Sequence, residues 1–243
     1  MKLALWAAEL AKVFWSQVGA EEPFPRRLRG PIRAMPLTVE PIARLTVTKV
    51  CQWLQKNGIS QGGAAHDRPL RGCVTADGGH GIIFLDAADP EDEQRFSLAH
   101  ELAHFLRDYW RPRQLALERL GAQALDVLDG KRSATPSERL GALLGGVKLG
   151  FHMHLMDRDA QRRPVDCESN DAERCADRLG CELLAPAEHV AAHSGASLKS
   201  LVELLCGYYG LPKLEANRYA SQLWGEAMPA EGWLVSLRRS LDR

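Results

Sequence analysis

His100-Glu101-Leu102-Ala103-His104 sets two imidazoles four residues apart with a carboxylate beside the first. Residues four apart on an α-helix share a face, so both rings can reach one metal ion while Glu101 stands next to it. Zinc peptidases use this spacing to hold their metal and their general base. Phe96, Leu98, Ala99, Leu102, Ala103, Phe105 and Leu106 surround the motif. The helix is therefore expected to be buried on most sides, and buried imidazoles need polar partners. The plainer alternative is a pair of core histidines bonded to backbone carbonyls, with Glu101 on the surface.

A catalytic zinc takes three protein ligands and keeps a fourth position for water. The metzincin continuation needs a glycine three residues and a histidine six residues after His104, but Arg107 and Trp110 stand there, so that class is excluded. The other solution is a glutamate from a second helix, with a carboxylate one turn further on to receive the outer N–H of a ligand histidine. Glu173 and Asp177 fit it. Asn170 followed by Glu173 also reads as a capping box, a purely structural use of the same side chain. His152 and His154 lie on one face of a predicted strand and are candidates to stabilise an oxyanion or hold a second metal; plain surface histidines are the alternative. Tyr109, Tyr208 and Tyr209 are weaker candidates, with aromatic packing as their structural reading.

The elements that must position these residues follow from periodicity and punctuation. Leu3 to Val18 reads as an amphipathic helix with Trp6, Leu10, Val13, Phe14 and Val18 on its apolar face. Glu21 to Pro36 is a Pro- and Arg-rich connector, with Arg26, Arg27, Arg29 and Arg33 as a small basic cluster, and a second helix is expected from Val39 to Asn57. Leu70–Ala76 and Gly81–Asp86 flank Asp77-Gly78-Gly79 as a β-hairpin. Asp89 as a cap, Pro90 at the first position and Glu91 to Glu93 in the first turn open the motif-bearing helix, expected to stop at Arg111-Pro112. Helices are expected over Gln114–Leu128, Ser137–Leu144, Asp171–Leu184, Ser197–Cys206 and Leu214–Trp224, and a strand over Val147–Leu155.

Composition narrows the class. The 243 residues carry 31 Lys plus Arg against 31 Asp plus Glu. No net field draws a phosphate backbone or an anionic membrane, so direct nucleic-acid binding is a poor expectation. The N-terminal apolar run is interrupted by Glu9 and Lys12 and is not read as an export signal. The six cysteines have no close paired spacing and read as reduced thiols, which points to the cytoplasm.

Phe96-Ser97-Leu98-Ala99-His100-Glu101-Leu102-Ala103-His104, after a hairpin ending Ile82-Ile83-Phe84-Leu85-Asp86, resembles the core of the ImmA/IrrE family of metallo-endopeptidases. Glu173 to Pro186, which closes on Leu183-Leu184-Ala185-Pro186, is similar to that family's glutamate-rich helix. The resemblance covers about 70–110 and 171–186; Ala103, Cys175, Gly180 and Ala185 depart from the usual residues, and none of these removes a ligand. It implies an α+β zincin-like fold, Zn2+ held by His100, His104 and Glu173, Glu101 as catalytic base and Asp177 behind the site. Its implied substrate is a regulatory protein, such as a helix-turn-helix repressor or an antitoxin, cut at a limited site. The expected organisation is N-terminal helices and connector at 1–62, a catalytic core at 63–190 with an insertion at about 111–169, and C-terminal helices at 191–243 packed on the core. The competing expectation is a non-catalytic zincin-like module that binds a repressor or DNA through Ser197 to Trp224, although Lys213 and Arg218 are its second helix's only strong phosphate contacts.

Overall fold

The computed structural model describes residues 2–19, 22–59, 66–136, 152–155, 167–193 and 197–227. Helix α1 (Lys2–Val18) buries Ala7, Ala11 and Phe14 against the helix that carries Glu173. Val13, expected on the apolar face, is 38% exposed because the contact stripe runs along the small residues instead.

The helix expected from Val39 is corrected. Leu37–Ile42 forms strand β1, and α2 begins only at Val47 and ends at Lys56. Pro41 removes a backbone donor and would break a helix interior, but it is tolerated in β1 because that strand pairs in the sheet with β3 alone. Thr46 caps α2, its hydroxyl accepting the Lys49 N–H at 3.4 Å.

Strands β2 (Gly72–Asp77) and β3 (His80–Asp86) form the expected hairpin, and Gly78 and Gly79 adopt φ of 55° and 89° in its two-residue turn. Positive φ at both central positions is the turn geometry that matches strand twist and favours glycine. The sheet order is β1-β3-β2-β4, with β1 parallel to β3, and with β4 (His152–Leu155) antiparallel to β2. Alternation along β3 builds two cores. Ile83 and Leu85 join α3 on one face, while Phe84 joins Leu45, Val50 and Leu54 around α2 on the other.

Helix α3 (Glu91–His104) starts with Pro90, not Asp89, at its cap position, and all of Phe96 to His104 is buried. Phe96, Leu98 and Leu102 supply about 1.5–3 kcal/mol each on burial, which offsets part of the cost of enclosing His100, Glu101 and His104. The expected stop at Arg111-Pro112 is also corrected. The chain continues through a π-helical turn at Phe105–Trp110 into α4 (Arg111–Leu120), where Pro112 falls in the first turn. A Cβ at Gly81 would lie 2.6 Å from the Phe105 ring, so the wide turn rests on bare β3 backbone. Gly121, at φ 77°, ends α4 and divides the expected Gln114–Leu128 helix, leaving α5 at Gln123–Leu128.

Helix α6 (Cys167–Leu184) packs on α3, and at Gly180 the two come close enough that a Cβ would sit 3.3 Å from the His100 backbone nitrogen. That contact accounts for the small residue there. Short α7 (Ala187–His193) was not anticipated; α8 (Leu198–Gly207) and α9 (Lys213–Ala227) form the expected C-terminal pair, with Ser197 in a capping box. The helix expected at 137–144 and the 147–151 part of the expected strand lie outside the described residues. None of the described helices is long and apolar enough to cross a membrane. Cys51, Cys73, Cys175, Cys181 and Cys206 are all free thiols.

Candidate metal centre

Three elements converge on one point. His100, Glu101 and His104 come from α3, Glu173 from α6 and His154 from β4, where His154 lies opposite Val74. One ligand atom from each of His100, His104, His154 and Glu173 lies within 4.8 Å of the others. Glu173 Oε2 is 3.2 Å from His100 Nε2, and its Oε1 is 3.5 Å from His104 Nε2 and 2.6 Å from His154 Nε2. The His154 ring stacks on His104, with centroids 3.5 Å apart, and its Nδ1 is 3.4 Å from Glu101 Oε2.

The outer nitrogens fix the tautomers. His100 Nδ1 meets Asp177 Oδ1 at 2.8 Å, and His104 Nδ1 meets Asp108 Oδ2 at 2.9 Å. An ionised carboxylate only accepts, so each Nδ1 carries its hydrogen and each Nε2 keeps the lone pair in the neutral ring. Both Nε2 atoms and Glu101 Oε1 are buried with no hydrogen-bond partner. Two orphaned nitrogens aimed at a carboxylate are what a cation with nitrogen and oxygen ligands requires, so the residues present fit a metal. Helix α6 begins at Cys167, which puts Asn170 inside the helix and not at its start, where a capping box would need it.

The surrounding charge is set for a cation. Burial opposes protonation of His100, but Asp177 and Glu173 outweigh it and push its pKa up to about 9. Burial likewise opposes charge on His154, and Glu101 and Glu173 push it up to about 10. Glu173 is held far below the carboxylate range by its three imidazole neighbours despite its burial. Burial would raise Asp108, yet the His104 hydrogen bond and Arg107 bring it down to about 2.

Asp108 and Arg107 were missed from the sequence. Arg107 Nε donates to Asp108 Oδ1 at 2.6 Å, and its guanidinium also donates to the Ala172 carbonyl at 3.0 Å, next to Glu173. One arginine thus ties the His104 partner to the helix that brings the third carboxylate. The available signal was an aspartate four residues after His104, on the same face. Asp108→Ala is expected to weaken metal affinity at the cluster by about 10–100-fold, measured by competition with a chromophoric chelator.

His152 stands apart from the cluster. It is 7% exposed, and its ring lies 6.2 Å from the Tyr109 ring, centroid to centroid. Tyr109 accepts the Gly79 N–H at 2.7 Å and so closes the hairpin turn, while Tyr208 and Tyr209 lie beyond α7 among Phe24 and His189. At Gly72 a Cβ would come within 2.9 Å of Glu101 Cγ, so only glycine lets β2 pass this close to the carboxylate. A cavity of about 510 Å³ between α6 and α9 opens onto Glu173 and Asp177.

A helix with paired histidines beneath a small mixed sheet, met by a glutamate from a second helix, defines a zincin-like α+β domain. Residues 60–123 match the family model Peptidase_M78, the IrrE N-terminal-like domain, which supports a relationship to the ImmA/IrrE family. The match takes in β2, β3 and the His100–His104 helix; Glu173 and Asp177 lie outside it. The family points to a metallopeptidase acting on protein. Among curated proteins none matches the chain.

Proposed function

We propose that the chain is a zinc-dependent endopeptidase of the cytoplasm, with 63–190 as its catalytic core, that cuts a regulatory protein such as a helix-turn-helix repressor or an antitoxin at a limited site. The observation that carries this reading is the convergence of the unpartnered His100 and His104 Nε2 atoms on Glu173, beside a buried and unpartnered Glu101 Oε1. His100, His104 and Glu173 would hold Zn2+, which when bound would supply Lewis acidity to acidify water and polarise a carbonyl. Asp177 and Asp108 hold the two rings in the ligating tautomer.

Glu101 takes the proton of the attacking water and hands it to the leaving amine. A structural zinc could use this ligand set alone, but a metal-only module has no need of a carboxylate at that position. His154 reaches the same point from β4 and donates to the oxyanion that develops on the scissile carbonyl. If it served as a fourth ligand, the site would be closed and Glu101 would have no water to act on.

The test is incubation of the full chain with a purified candidate repressor or antitoxin. One discrete, chelator-sensitive cleavage is the expected result. His154→Ala should keep its zinc and slow cleavage by about 10²–10³-fold. Loss of zinc in that variant would instead make His154 a ligand. A zinc-loaded chain that binds its partner and never cleaves it would be the non-catalytic module.

A further inference from the structure

Arg27 and Arg29, two members of the basic connector, meet Arg95 of α3 around one cavity of about 230 Å³. Glu91 is the one carboxylate among the described residues that line it. The chain as a whole balances 31 cationic against 31 anionic side chains, so three guanidiniums against one carboxylate make a local excess of positive charge. Glu91 neutralises little of it. Its Oε1 lies 3.8 Å from Arg27 Nη2, and both side chains are more than three-quarters exposed, where water screens the pair. Arg29 Nη2 meets a neutral acceptor, the Gln94 amide oxygen, at 3.4 Å.

Arg95 anchors the cavity. It is half-buried, and its Nε is shielded from solvent with no hydrogen-bond partner. Gly210, at φ 67°, leaves the room it needs: a Cβ there would lie 3.0 Å from Arg95 Nη2 and 3.0 Å from Pro25 Cβ. The guanidinium is thus held against the turn between α8 and α9 before any partner arrives, and a preorganised fork loses less freedom on binding a carboxylate. A carboxylate from outside would also supply the acceptor that this half-buried cation lacks.

On the reading of the chain as an endopeptidase, we propose that Arg27, Arg29 and Arg95 form a docking surface for an acidic segment of the protein substrate. Clustered arginines recognise such segments through paired N–H groups that match a carboxylate. Arg95 stands on the helix that carries His100, five residues before it and about 7.5 Å along the axis. A segment docked here is therefore held at a fixed distance from the metal cluster.

The test is binding of fluorescein-labelled hexaglutamate to the full chain, followed by anisotropy at low salt, with hexalysine as the control peptide. Wild type should bind hexaglutamate and not hexalysine, and binding should fade as salt rises past about 0.15 M, where exposed charges are screened. Arg95→Gln, and Arg27→Gln together with Arg29→Gln, should each weaken it on the order of tenfold. Glu91→Gln should tighten it about two- to threefold, because it removes the opposing charge. Arg27 and Arg29 are exposed, so their double variant guards against a loss of fold in Arg95→Gln. Arg218→Gln, on α9 and outside the cavity, should change nothing. A wild type that ignores hexaglutamate overturns the surface, as do arginine variants that bind it at full strength. Inorganic phosphate bound as tightly as the peptide would make this a small-anion site and overturn it too. The measurement uses no metal and no cleavage: a chain that binds hexaglutamate yet cuts no protein would keep the docking surface and lose the endopeptidase.

Discussion

Glu101→Gln is expected to lower the cleavage rate by about 10²–10⁴-fold while leaving the zinc content at the wild-type level. Glutamine keeps the shape of the side chain but cannot accept a proton. Glu101 is fully buried, its Oε1 has no partner and its Oε2 faces His154 Nδ1 at 3.4 Å, so the substitution disturbs no fold-wide network. Single-turnover cleavage and metal analysis on the same preparation separate the two effects. A variant that cleaves as fast as wild type would leave the metal in place and remove Glu101 from the chemistry.

Zinc binding should weaken steeply in acid. In the metal-free cluster Asp177 and Glu173 push His100 to about 9. That ring is therefore protonated below about pH 9 and must lose its proton to ligate. Affinity is full above that pH and falls about tenfold for each unit below it, for each proton displaced. His154, pushed up to about 10 by Glu101 and Glu173, keeps its proton when it acts as the oxyanion donor and releases it only as a ligand. Calorimetry in buffers of differing ionisation enthalpy counts the protons released. Removing the metal should also lower thermal stability, since an ion at 1,000 times its Kd adds about 4 kcal/mol to the folded state.

The site was largely legible because its chemistry is written in short spacings. His100 to His104 and Glu173 to Asp177 are both four-residue intervals, and the structure puts each on one helix face pointing at the other. Asp108 was missed although it stands four residues after His104; the π-helical turn carries it against the His104 ring. His152 and His154 shared a predicted strand face, yet one packs near Tyr109 and the other enters the cluster. Strand alternation specifies a side and says nothing of what covers it. The strand β1 was lost inside an expected helix because Val39 and Ile42 also satisfy helical spacing, and Pro41 was the signal against it.

The most direct measurement is the zinc content and affinity of the purified full chain beside Glu173→Gln. One tight zinc per folded wild-type chain, weakened on the order of tenfold or more in the variant with little loss of stability, is the expected result. A folded wild type that holds no tight zinc, or a variant that binds it equally well, would contradict a metal centre built from His100, His104 and Glu173.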